Sequence, residues 1–176
     1  MRAALLLRGV NVGKGNALPM ADLRALLEEL GCTDVRTYLQ SGNAVLSSRR
    51  GEAALEKAVG AALAKYMGRP IDLTFRTGAE LNAVVDANPF VEVDDPTKLV
   101  VTFLSEAPPE ALVAPLVKGD WGTERCRVIG REIFASLPDG QGRSPLAAAL
   151  GKTKLPGTVT TRNWRTVLAL REMLDG

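Results

Sequence analysis

Two short runs, Ala3 to Leu7 and Leu99 to Leu104, are apolar on both faces of any strand they form. A strand with one wet face alternates apolar and polar residues, so a run without that alternation needs cover above and below. Leaving either face in water would forfeit about 25 cal/mol for each Å² of apolar surface. The chain must therefore hold two central strands inside covered sheets, and the other half of the chain or a partner subunit is the simplest cover for the second face.

The punctuation around the first run reads as strand, helix, strand, strand, helix, strand. The first strand covers Ala3 to Arg8. Pro19 suits a first helical turn, Leu23, Leu26, Leu27 and Leu30 recur at helical spacing, and Gly31 is placed to end that helix. Val35, Thr37 and Leu39 alternate with Arg36, Tyr38 and Gln40, and Ser41-Gly42-Asn43 supplies turn chemistry before a strand from Ala44 to Ser47. Leu55, Val59, Ala62, Leu63, Tyr66 and Met67 form one helical stripe ending at Gly68, and Ile71 to Phe75 alternates again. This is the ferredoxin-like order. Thr77-Gly78-Ala79-Glu80 matches a capping box that opens a third helix, which Asn88-Pro89 stops.

Beyond the acidic connector Glu92 to Pro96, Lys98 to Leu104 reads as a buried strand and Pro108 to Val117 as a helix. Arg125 to Ile129 and Glu132 to Ser136 form a hairpin across Gly130-Arg131, and Thr161 to Leu174 is a closing helix. The order strand, helix, strand, strand, helix returns. The expected fold is thus α/β (α+β): two ferredoxin-like α/β plaits with antiparallel sheets and helices on one face of each. Residues 1–95 form one plait with an added helix, and residues 96–176 form a degenerate second copy. Self-similarity between the halves is too weak to demonstrate the duplication.

With 46% apolar residues the chain can pack an interior. No stretch approaches the roughly 20 apolar residues of a membrane span, and no leader pattern opens the chain, so the expected compartment is the cytoplasm, with no membrane partner. Cys32 and Cys126 lack metal-ligand spacing and read as ordinary small residues. The chain contains no histidine. Ser-His-Asp and Cys-His nucleophile arrangements and most zinc sites are thereby removed, and any catalysis would run on carboxylates, lysines such as Lys14, tyrosines, hydroxyls or an oxygen-bound metal.

The net charge is only +2, but it is unevenly spread. Arg2, Arg8 and Lys14 precede the first acid, and Arg143, Lys152, Lys154, Arg162, Arg165 and Arg171 fill the stretch between Asp139 and Glu172. Acids dominate from Glu80 to Glu110. Within the first basic stretch, Arg8-Gly9-Val10-Asn11-Val12-Gly13-Lys14-Gly15-Asn16 follows the first strand directly. Glycines, amides and cations together bring N–H groups and positive charge close to an anion. It is no phosphate-binding P-loop, since Gly9 to Gly13-Lys14 is one residue short and Gly15 replaces the magnesium-binding Ser or Thr. The alternative is that the glycines only turn the chain while the asparagines bond local backbone.

Gln40-Ser41-Gly42-Asn43 is ordinary hairpin chemistry that also places Ser41 and Asn43 where they can meet a ligand or lock the first loop. Thr160-Thr161-Arg162-Asn163-Trp164-Arg165-Thr166 opens the last helix in this reading, with Thr161 as a cap and Trp164 in the core. Arg162, Asn163 and Arg165 then occupy a first turn, where cations oppose the helix dipole unless an acid or ligand answers them. Pairing of these arginines with the acids around Glu92 to Asp95 is the competing account. Base stacking of the RNA-recognition type is disfavoured, because the strand Asn43 to Ser47 carries no aromatic residue.

On the motifs Leu7-Arg8-Gly9-Val10-Asn11-Val12-Gly13, Pro19-Met20-Ala21-Asp22-Leu23, Val35-Arg36-Thr37-Tyr38-Leu39-Gln40-Ser41-Gly42-Asn43, Asn88-Pro89-Phe90 and Thr161-Arg162-Asn163-Trp164-Arg165-Thr166-Val167, the chain resembles the bacterial family known as domain of unknown function 1697. The resemblance covers nearly the whole length. It implies two ferredoxin-like plaits and no assigned activity.

The residues support an anion-binding protein that takes a phosphate-bearing small molecule, nucleotide or nucleic-acid backbone. Its site would draw on Arg8, Gly9, Asn11, Gly13, Lys14, Asn16, Ser41, Asn43, Arg162, Asn163 and Arg165. No metal or cofactor is expected, no catalytic residue is assigned, and the expected state is a monomer or weak homodimer. Two alternatives stay open: a histidine-independent enzyme acting on a phosphorylated or nucleotide substrate, and a protein-interaction module that uses an apolar sheet face.

Overall fold

The chain runs as β1 (Arg2–Leu7), α1 (Met20–Glu29), β2 (Thr33–Tyr38), β3 (Asn43–Ser47), α2 (Glu52–Met67), β4 (Leu73–Thr77) and α3 (Gly78–Asp86). It continues as β5 (Leu99–Leu104), α4 (Glu110–Lys118), β6 (Arg125–Ile129), β7 (Glu132–Ser136), α5 (Pro145–Lys152), β8 (Val159–Asn163) and α6 (Trp164–Asp175). This is a computed structural model, and it describes residues 1–13, 15 and 17–176. Two compact units emerge: residues 1–82 with 170–176, and residues 83–169.

In the first unit a four-stranded antiparallel sheet has the order β2-β3-β1-β4. Ala3, Leu5 and Leu7 of β1 point into a core shared with Leu23 and Leu27 of α1 and Leu55, Val59 and Leu63 of α2. These are the positions the 3.6-residue spacing predicts. The helices end where expected, α1 before Gly31 (φ 84°) and α2 at Gly68 (φ 69°), both left-handed positions that suit glycine. The Thr77–Glu80 capping box forms reciprocally: Thr77 N–H and Oγ1 donate to the Glu80 carboxylate at 2.8 and 2.9 Å, and Glu80 N–H donates to Thr77 Oγ1 at 3.3 Å.

The second unit has the same sheet order, β6-β7-β5-β8. Val100 and Leu104 of β5 face a core with Val113 and Leu116 of α4 and Leu146 and Leu150 of α5. Three sequence expectations are corrected here. The second copy is complete rather than degenerate, because α5 and β8 supply the missing elements. The closing helix begins at Trp164, not Thr161, because the β-branched residues Val159, Thr160 and Thr161 open the strand Val159–Asn163 and Asn163 is the true cap, accepting from Thr166 N–H and Oγ1 at 2.9 and 3.0 Å. The fourth strand also lies later than expected, ending at Thr77 rather than Phe75.

Neither face of the two central strands meets solvent. Ala4 and Leu6 are 0% exposed, as are Val101 and, within 1%, Phe103. Trp164 is buried as expected, its ring 6.3 Å from that of Phe134 and tilted by 55°. Both cysteines are buried and free.

Candidate functional site

The first loop, residues 8–19, leaves β1 and enters α1. Gly9, Asn11, Gly13 and Gly15 all have φ between 57° and 86°. Such a succession of left-handed residues is costly except at glycine or asparagine, and here the Asn11 side chain braces it. The Asn11 amide donates to the carbonyls of Leu18 at 2.8 Å and Gln40 at 2.6 Å, and its oxygen accepts from Leu18 N–H at 2.7 Å. Val10 and Leu18, both buried, anchor the two limbs in the core. Asn11 is thus the clasp of the loop and joins it to the β2–β3 turn.

That turn is also tied to the end of β1, where Leu7 N–H donates to the Gly42 carbonyl at 2.9 Å. Asn43 is fully buried and donates to the Tyr38 carbonyl and to Ser41 Oγ, both at 2.9 Å. Its side chain holds the turn in shape and has no access to solvent. Ser41 is exposed beside it.

Arg8 stands at the loop entrance with its side chain 57% exposed and its guanidinium 3.7 Å from the Asp72 carboxylate. Arg69, which sequence reasoning did not select, is exposed and donates to the Gly9 carbonyl at 3.1 Å. Its only sequence signal is a cation following the helix-ending Gly68. Gly9 and Gly13 are exposed, and a Cβ built on either meets nothing within 4 Å. Lys14 and Asn16 lie outside the described residues.

The residues expected from the last motif belong to the second unit. Arg162 sits in β8, not in a helical turn, and is 8% exposed. It donates to Thr160 Oγ1 and to the Thr161 carbonyl, both at 2.8 Å, and burial pulls its guanidinium down to about 10. Asn163 spends its side-chain oxygen on the cap of α6. Arg165 is exposed, and its N–H donates to the Pro96 carbonyl at 3.4 Å. Among the acids of the connector, Glu92 is paired with Arg125 and Asp95 is bonded by Thr97, whose hydroxyl and N–H hold its carboxyl below the usual range. Lys98 and Arg165 lower Asp95 further.

The structure therefore joins the first loop to the Ser41 turn within one unit, while Arg162, Asn163 and Arg165 are held within the other. Among the described residues there is no group of three or more His, Cys, Asp or Glu side chains able to hold a metal, and no helix is long and apolar enough to cross a membrane.

A four-stranded antiparallel sheet with two helices, repeated in the same strand order, defines a duplicated ferredoxin-like α/β protein. Over 98% of both chains it superimposes with a TM-score of 0.82 on the conserved bacterial protein SP0830 from Streptococcus pneumoniae, at 25% identity. The chain belongs to the family described as protein of unknown function (DUF1697), whose model matches residues 1–134. Among curated proteins none matches it.

Proposed function

We propose that the first loop is the binding element of a cytoplasmic protein that takes a phosphate-bearing ligand, a small molecule or a nucleic-acid backbone. The observation that carries this reading is the braced loop itself. Asn11 holds a run of left-handed residues whose entrance carries two exposed arginines, Arg8 and Arg69. A loop kept in such a conformation by its own clasp loses little freedom when an anion arrives, and arginine offers a planar fork to phosphate oxygens. The glycines allow a ligand to approach the backbone closely. The reading draws on Gly9, Gly13 and, beyond the described residues, Lys14 and Asn16. Asn11 and Asn43 serve it as braces, and Arg162 does not enter it. The two buried, free cysteines are in keeping with a reducing compartment.

The test is a thermal-shift series with inorganic polyphosphate, a nucleoside triphosphate and a short single-stranded oligonucleotide. At 100 times its dissociation constant a ligand stabilises by about 2.7 kcal/mol, roughly 5 to 11 °C for a chain of this size. Arg8→Ala and Arg69→Ala together should abolish the shift. Retention of the full shift in the double variant, or no shift with any probe, defeats the reading.

A further inference from the structure

We propose that the second unit carries a peptide-docking edge: an extended segment alternating apolar and acidic residues adds to β6 as a fifth strand, in the groove between β6 and α4. The groove encloses about 290 Å³ and is lined by Glu110, Val113, Ala114, Val117 and Lys118 of α4, with Pro108 just before it, and by Arg127 and Val128 of β6. That volume is at the small end of ligand sites, which run from about 300 to 1,000 Å³, and suits a few side chains better than a cofactor.

The backbone argument starts from the hairpin. Gly130 has φ 59° and the β6–β7 loop has two residues, so Ile129 and Glu132 close it as a hydrogen-bonded pair. The unbroken register then makes Arg127–Phe134 and Arg125–Ser136 the next bonded pairs. Cys126 and Val128 consequently turn their N–H and C=O groups outward, away from β7. Of these groups the Cys126 carbonyl accepts from Arg127 Nη1 at 2.9 Å, a bond that the N–H of an added strand would replace. β6 is the edge of its sheet and pairs with β7 alone. Its counterpart β2 is blunted by a register shift between Thr33 and Arg36, with Asp34 at φ 53°. β6 has no such register shift, and the exposed charge of Arg125 and Arg127 is its protection against pairing at random.

The side chains specify the guest. Successive residues of an added strand point to opposite faces. On one face they meet Val113, Ala114 and Val117 beside Val128, which asks for apolar residues. On the other they lie across from Arg127, which asks for acids, while Arg125, two residues away, is already paired with Glu92. A second copy of this chain is the wrong guest, because pairing β6 with itself in antiparallel fashion sets the arginines of one strand against those of the other. Strand addition of this kind draws its affinity from main-chain hydrogen bonds and its specificity from the alternate side chains.

The experiment is fluorescence anisotropy on the full chain with a labelled peptide of about eight residues alternating Glu and Val, long enough to match a typical strand. Three comparison peptides are used: Lys-Val alternation, a scramble of the Glu-Val composition, and a Glu-Val peptide N-methylated at every second amide. Saturable binding below about 1 mM is expected for the Glu-Val peptide alone. Arg127→Glu should weaken it about tenfold and admit the Lys-Val peptide. If Arg127→Glu fails to fold, Arg127→Gln should weaken the Glu-Val peptide by a smaller factor. Equal binding of the scrambled or N-methylated peptide overturns the proposal, as does an absence of saturable binding. So does a concentration-dependent dimer in sedimentation that Arg127→Glu abolishes, which would make a second copy the occupant.

Discussion

Gly42 shows how one backbone position serves both the fold and the candidate site. Its φ is +79°, and a Cβ placed there would lie 2.5 Å from Val10 Cγ2 and 2.9 Å from Leu7 Cβ, both side chains packed in the core. Gly42→Ala must therefore strain the backbone and drive the loop off the β2–β3 turn, at a cost of about 2 to 4 kcal/mol. Gly13→Ala meets nothing within 4 Å, so only its positive φ is penalised, at about 1 kcal/mol. Urea midpoints of the two variants should separate accordingly, and equal losses would show that the Gly42 contact is not structural. Cys126 makes a second prediction at this scale. Burial raises its thiol from 9.0 to about 11 in the folded chain. Between those values the folded state holds more protons than the unfolded state, so stability falls as pH rises through the window, by about 2 to 3 kcal/mol at most. Cys126→Ala should flatten that slope, and an unchanged pH dependence in the variant would refute the assignment.

The elements repeat with a register that is more faithful than the residues occupying it. Ala4 pairs with Arg76 as Val101 pairs with Arg162, so Leu5 and Phe75 in the first sheet correspond to Thr102 and Thr161 in the second. An apolar cross-strand pair in one copy is a hydroxyl pair in the other, Oγ1 to Oγ1 at 2.7 Å, with Thr102 only 1% exposed. Thr161→Val alone strands the buried Thr102 hydroxyl and should cost about 1 to 3 kcal/mol. Thr102→Val with Thr161→Val removes both polar groups and should be nearly neutral, so a thermal-denaturation cycle that came out additive would defeat the account. Here too lies the limit of what the sequence discloses. Helix stripes, glycine stops, the capping box and the second hairpin follow local rules and can be read in place. The duplication shows in the sequence as a returning order of elements and not as residue identity, because positions equivalent in space carry Leu and Phe in one copy and Thr and Thr in the other. β8 was hidden because Thr160 and Thr161 look as much like a helix cap as like a strand. For α5, the signal was there in Ser144 as cap and Pro145 at the first position, with Ser144 Oγ accepting from Ala147 N–H at 2.8 Å. In the candidate site, the loop's glycines and Arg8 were legible from type and order alone. The bracing roles of Asn11 and Asn43 and the burial of Arg162 depend on partners distant in sequence, and so does the approach of Arg69.

Across the whole molecule, the informative places are those where the two copies part company. The connection from first strand to first helix spans residues 105–109 in the second copy but residues 8–19 in the first. The short version shows that the topology does not need the long one, and connections in compact domains mostly run to about two to six residues unless they carry function. The long connection is also the one with the left-handed glycines and, in sequence, no acid before Asp22. With a net charge of only +2, the chain as a whole has little general attraction for polyanions, so any affinity must be local. That makes the salt dependence of oligonucleotide binding diagnostic. Each cation that contacts a single-stranded backbone contributes about 0.7 to the slope of log affinity against log salt. Arg8→Ala should lower affinity across sequences and reduce that slope by about this amount, whereas Arg143→Ala, in the basic C-terminal stretch, should leave both unchanged. The reverse pattern would move the anion site out of the first loop and leave its glycines and its Asn11 clasp as determinants of the fold alone.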